Sequence, residues 1–388
     1  MNELERFKAV VNFEKPDYMP IFGFPGAPGM SRGCMAKTHQ RLVDTGMPAE
    51  VGGVGAPGSR ESVDSWKKFW GTADPLTLDF EVQGGAPGFK TTTRVEGEFE
   101  IIESESGAVT RQVIDNDATY SMPEFLAYPV RDRESWEFYK ERMTPHAIMS
   151  ADEIEAACVR YDDRDRPLVI GAGGTSGRLR SLMGPEAFCM ALYDDPELCR
   201  DIQDWHHGIT REFVFPLIER LKPEVVAMWE DISGNHGMMV SPAQFEELGG
   251  DCYRDSAAHA RACSVDLLTV DCDGNVNELV PLLASFGVNG LYPCEAKGNN
   301  DLPALREQLP EFVFFGWLEK ETVNEGNQDM IELEIMSKVP PLLEQGGYFP
   351  NGDHGLQPFI TYPSLCKFMT MLHEVCGNPE GDFPRVKL

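Results

Sequence analysis

Four short apolar runs in this chain each end in acidic residues or a histidine, and that pattern limits the folds open to it. Val225-Val226-Ala227-Met228-Trp229 ends in Glu230-Asp231, and Leu267-Leu268-Thr269-Val270 ends in Asp271-Cys272-Asp273-Gly274. Gly290-Leu291-Tyr292-Pro293 ends in Cys294-Glu295, and Gly347-Tyr348-Phe349-Pro350 leads to Asp353-His354. Continuous apolar runs bounded by turn residues read as strands buried on both faces, the condition of a parallel sheet. In a closed α/β barrel the catalytic groups sit where such strands end. The four ends are therefore expected to converge on one site.

Helical periodicity alternates with these runs from Ser135 onward. Helices are expected at 152–160, 186–193, from Pro196 to Leu221, over Pro242–Ala262 behind a Ser241 cap, and at 277–286, 301–309, 328–345 and 363–376. Alternation of this kind implies parallel strands joined by crossover helices. Runs near 20, 167, 225, 265, 288, 312 and 347 supply seven strands, and the region 25–135 has room for an eighth. The expected fold is α/β, a (β/α)8 TIM barrel forming one domain over 1–388, with an open doubly wound sheet as the alternative. Lys90–Glu96, Glu98–Glu103 and Ala108–Ile114 are β-rich and separated by Gly97 and Ser106-Gly107. They predict a small antiparallel insertion near residues 78–120.

The formal net charge of -29 excludes a nucleic-acid-binding surface, which needs clustered Lys and Arg. No apolar run approaches the roughly 18 residues of a bilayer span, so no membrane partner is expected. The charged start Met1–Lys8 reads as a helix, not a signal peptide, and the expected compartment is the cytoplasm. Ten cysteines, none in a CxxC pair, read as reduced thiols packed as small hydrophobes.

Chemistry is expected at the strand ends. Glu230 and Asp231 are adjacent and point to opposite faces, so only one is expected to face the barrel mouth. Asp271 and Asp273 are two apart and share a face if the segment is extended, which calls for a proton or a cation between them. His354 can ligate a metal or transfer a proton near neutral pH. Asp271 or Asp273, Glu295 and His354 together would make an O/O/N zinc site with an open position. Cys272 and Cys294 are the rival ligands and would point the other way. Gly171–Gly177 would let a substrate or phosphate approach the backbone, but it lacks the spacing of a dinucleotide fingerprint.

With those residues in view, the chain resembles the uroporphyrinogen decarboxylase superfamily over nearly its whole length. The likeness runs through Arg6 and Glu14–Ile21, then Tyr120–Phe125 with Tyr128-Pro129-Val130, and Trp229-Glu230-Asp231. It continues through Val270–Asn275, Tyr292–Glu295 and Gly346–Pro350 with Asp353-His354. The superfamily fold is a (β/α)8 barrel. The haem-pathway decarboxylase binds its polycarboxylate with arginines of an early Met-Arg-Gln-Ala-Gly-Arg segment, whereas Gly23–Met30 here has none before Arg32. Cobalamin-dependent methyltransferases acting on coenzyme M hold zinc with His-x-Cys-Gly and a later Cys. The matching places here read Asp271-Cys272-Asp273-Gly274 and Asp353-His354.

The resemblance therefore implies an O-demethylase, which moves a methyl group from a methoxylated, often aromatic, substrate to the cob(I)alamin of a partner corrinoid protein. On that reading His354, Glu230 and Asp231 are catalytic. Phe24, Trp229, His236 and Met238 bind substrate, with Phe22, Met30 and Met239 beside them. Asp271, Asp273, Glu295 and His354 hold zinc. The alternative is a decarboxylase of a small carboxylic acid, for which the strand-end loops offer only Lys320 and Arg178 or Arg180 as cations. A homodimer is compatible with either.

Overall fold

The computed structural model describes residues 1–26, 36–56, 58–78, 80, 83–114, 123–145 and 149–387. Its main sheet has seven strands: β1 (Leu76–Thr77), β2 (Leu168–Gly171), β3 (Val225–Trp229), β4 (Leu267–Asp271), β5 (Gly290–Cys294), β6 (Val313–Leu318) and β7 (Tyr348–Gly352). They lie side by side in chain order, and every pairing is parallel. Val225, Val226, Leu267, Leu268, Val270 and Leu291 are buried, as strands covered by helices require.

The sheet curls as a half-barrel, and among the described residues its ladder does not close. The strand expected near residue 20 is reduced to one parallel bridge, Phe22 to Ala73. Pro20 and Pro25 bring no amide hydrogen and Gly23 turns at φ 71°, so the segment cannot sustain a ladder. On its other side the Asn351 Nδ2 donates to the Phe22 carbonyl at 2.9 Å, and the Phe22 ring stands edge-on to Phe349 at 5.4 Å. The helix Glu3–Val11 packs below, where Phe7 stacks on Phe349 at 5.5 Å.

The antiparallel insertion forms as expected but runs further. Thr92–Glu96, Phe99–Glu103, Val109–Val113 and Glu124–Ala127 make a four-stranded meander. The helix over Pro242–Ala262 begins at Ser241, whose hydroxyl accepts from the Gln244 N–H in a capping box. The helix expected from Pro196 to Leu221 is interrupted by a π-helical turn at Thr210–Val214. Pro216 cannot donate to the turn before it, and the Phe215 N–H bonds back to the Thr210 carbonyl. Among the described residues no helix is long and apolar enough to cross a membrane.

Candidate active site at the strand ends

His354 stands just beyond β7, between two carboxylates carried by neighbouring strand ends. Its Nε2 lies 3.3 Å from Asp273 Oδ2, beyond β4, and its Nδ1 lies 3.7 Å from Glu295 Oε1, directly after β5. The Nδ1 atom is closed off from solvent and makes no hydrogen bond, while the side chain as a whole is 33% exposed. Burial disfavours the imidazolium, but the hydrogen bond to Asp273 and the charges of Asp273 and Glu295 outweigh it. The net effect raises the pKa above 6.5.

The loops around this histidine are tied to one another. Glu295 Oε2 accepts from the Gly274 N–H at 2.7 Å, joining the ends of β4 and β5. Asp353 is buried, and its carboxylate accepts from the Ala296 N–H at 3.0 Å and the Lys320 N–H at 3.3 Å. These bonds fix where His354 emerges.

Glu230 is placed elsewhere. It is fully buried, and its Oε1 accepts from the Thr175 N–H and hydroxyl, each at 2.6 Å, and from the Tyr253 hydroxyl at 2.7 Å. Its Oε2 accepts from the Gly177 N–H at 2.7 Å. The carboxylate thus braces the start of the helix Ser176–Met183 and faces away from the mouth. Burial raises its pKa, opposed by these donors. Asp231, at φ 48°, turns out to an ion pair with Arg180 at 2.6 Å.

The glycine segment serves that brace. A Cβ at Gly177 would fall 1.9 Å from the Glu230 carbonyl oxygen, and one at Gly174 would fall 1.8 Å from that of Trp229. These glycines admit a neighbouring strand end rather than a phosphate. Gly177→Ala is expected to destabilise the fold by about 3 kcal/mol or more, read as a lower denaturant midpoint. An unchanged midpoint would contradict the packing described.

A cavity of about 390 Å³ opens at the ends of β2 to β5, lined by Gly171, Gly173, Arg178, Trp229, Asp271 and Tyr292 among others. Asp271 belongs to this cavity. Trp229 is 39% exposed there, with the Arg180 guanidinium 5.4 Å from its ring. The other residues expected to bind substrate do not line it. Phe24 is buried in the core, edge-on to Phe368 at 5.5 Å. His236 is exposed at the tip of the hairpin Ser233–Gly234/Gly237–Met238, and Met238 packs against the core. Phe22 lines an adjoining cavity of about 450 Å³ within the sheet's curl, which shares Ala227, Thr269 and Tyr292 with the first. Met239 is 40% exposed, and Met30 lies outside the described residues.

As the side chains stand, the proposed ligands do not fit a zinc ion. Among the described residues, no group of three or more His, Cys, Asp and Glu side chains could hold a metal. The two nitrogens of His354 face different carboxylates, so Asp273 and Glu295 converge on the ring and not on a common point. The rival cysteines point into the core. Cys272 and Cys294 are fully buried, and burial pushes the Cys272 thiol up to about 12 and raises that of Cys294 further.

Sequence reasoning gave Tyr292 no site role and noted Arg178 only as one possible cation. Tyr292 stands at a marked strand end, and Arg178 directly follows the glycine-rich segment Gly171–Gly177, in the helix Ser176–Met183. Tyr292 pairs in register with Asp271, which pairs with Trp229, so the three share a face, and that register is settled between strands and not within one.

No family model matches this chain, and no curated protein matches it. Among solved structures, a methyltransferase from Methanosarcina mazei is similar with a TM-score of 0.57 and 15% identity, over 96% of this chain and 98% of that chain. At that identity the likeness is one of fold: parallel strands curled inside a layer of helices.

Proposed function

We propose that this protein transfers a methyl group from a small methoxylated aromatic compound to the corrinoid of a partner protein. The observation that carries this reading is His354, held between Asp273 and Glu295 at the strand ends of a barrel-like fold. A cavity of about 390 Å³ opens at the same end of the sheet, within the roughly 300–1,000 Å³ of small-molecule pockets. The exposed ring of Trp229 suits an aromatic donor.

An aryl ether releases its methyl group only if the charge developing on oxygen is neutralised. His354, as the imidazolium, donates its Nε2 proton to that oxygen while the C–O bond breaks. The bond's electron pair stays on oxygen, so the product is a phenol. A cob(I)alamin carried by the partner would, when docked, supply the electron pair for the new bond to the methyl carbon. The charges of Asp273 and of Glu295, 3.7 Å from the enclosed Nδ1, keep the ring protonated until the ether oxygen displaces the long 3.3 Å contact with Asp273. Nε2 then regains its proton from solvent.

The test is anaerobic absorption spectroscopy with cob(I)alamin, free or on a corrinoid protein, and a panel of methoxyaromatics. Loss of the cob(I)alamin band with growth of the methylcobalamin band supports methyl transfer. No change across aromatic and aliphatic donors, with a competent corrinoid protein present, sinks it. Carbon dioxide release from small acids would then favour the decarboxylase alternative.

A further inference from the structure

The cavity within the sheet's curl contains a carboxylate that no neighbour neutralises at close range. Asp74 stands between the Phe22–Ala73 bridge and β1, and it lines this cavity of about 450 Å³. The backbone on either side is pinned. The Ala73 N–H donates to the Ile21 carbonyl at 2.9 Å, and the Leu76 N–H donates to that of Pro167 at 2.8 Å. Among the described residues the Asp74 carboxylate makes no hydrogen bond or ion pair, and it feels Lys67, Arg166 and Asp64 only from further off. Lys67 is engaged by Glu3 at 3.4 Å and Arg166 faces Asp165 at 4.0 Å, and neither lines the cavity. Burial raises the pKa of Asp74, against the pull of those two cations.

Much of the remaining lining is aromatic: Phe7, Phe22, Tyr292 and Phe315. These rings hold one another in place. Phe22 stands edge-on to Phe7 at 5.7 Å and Tyr292 edge-on to Phe315 at 5.9 Å. Phe7 and Phe315 both stack on Phe349, at 5.5 Å and 4.4 Å. Among the described residues Asp74 is the only charged one in the lining. A carboxylate in apolar surroundings is costly without a partner, and the faces of aromatic rings attract cations. An anion would be repelled by Asp74, and a neutral apolar molecule would leave it unpaired. A cation bearing alkyl groups suits both parts of the lining.

We propose that this cavity binds a small organic ammonium ion, its charge beside Asp74 and its alkyl groups against Phe7, Phe22, Tyr292 and Phe315. The cavity reaches the strand starts at Val225 and Leu267, away from the strand ends that carry His354. The inference therefore does not rest on methyl transfer.

The probes are choline and 3,3-dimethylbutan-1-ol, which share a shape and differ in charge, titrated calorimetrically into the intact protein at fixed salt. Choline is expected to bind about tenfold or more tighter than the alcohol. Asp74→Asn removes the charge at nearly constant shape and should erase that preference while leaving the alcohol's affinity unchanged. If Asp74→Asn does not fold, Thr77→Lys brings an ammonium into the same cavity from an exposed position and should abolish choline binding. Equal or absent binding of the two probes by the unaltered protein overturns the site. So does a choline preference that survives in Asp74→Asn or Thr77→Lys, since the cation would then sit elsewhere, such as beside Asp271 and Trp229.

Discussion

His354→Ala is expected to lower kcat/KM for methyl transfer about 10²- to 10⁴-fold, the usual contribution of a positioned general acid. The pH dependence is the sharper test. The working form is the imidazolium, and its pKa lies above 6.5 because Asp273 and Glu295 outweigh the effect of burial. The rate should therefore be flat at low pH and fall as pH rises through that raised pKa. Asp273→Asn removes the largest favourable interaction and should move the falling limb to lower pH while the fold persists. If kcat/KM keeps the same limb in Asp273→Asn, His354 is not the acid. The same charge state stabilises the fold: the contribution is complete below the unfolded pKa near 6.5 and is lost as pH climbs through the folded value.

Glu230→Ala should produce the largest loss of stability among the strand-end residues. It would leave the Thr175 N–H, the Thr175 hydroxyl, the Tyr253 hydroxyl and the Gly177 N–H facing an empty site in the core. Each unsatisfied buried donor costs about 1–3 kcal/mol. Even after relaxation and entry of water, a loss of about 3–5 kcal/mol is expected, read as a shift in denaturant midpoint at constant slope. Glu230→Gln keeps an acceptor oxygen but turns an amide toward donors, so its cost should be smaller. In either variant that still folds, the pH of the falling rate limb should not move, since Glu230 braces a helix and does not exchange the proton. A moved limb would return Glu230 to the catalytic set.

Much of this architecture could be read from the order of residues. The alternation of apolar runs with helical periodicity marked six of the seven sheet strands to within a few residues. The Ser241-Pro242 start and the Gly97 and Gly107 turns marked element ends because caps and tight turns are local chemistry. The strand near 20 was misjudged, because one apolar run looks the same whether it forms a ladder or a single bridge. The π-helical turn is not legible in the helical periodicity of Pro196–Leu221, since a proline such as Pro216 marks an interruption without saying which hydrogen-bond register replaces it.

The candidate site divides along the same line. Residue types and strand ends singled out Asp273, Glu295 and His354, and these meet. They equally singled out Glu230, Phe24 and His236, which face the helix Ser176–Met183, the core and open solvent. A strand's two-residue period fixes which face a side chain takes only while the strand lasts. Beyond Trp229 the direction depends on loop dihedrals such as the φ of 48° at Asp231, and those are set by packing against Gly174 and Gly177 on a neighbouring segment. Sequence alone thus determined which residues reach the end of the sheet, because burial and periodicity are local. Only the tertiary structure decided which carboxylates face His354, because pairing is settled between segments far apart in the chain.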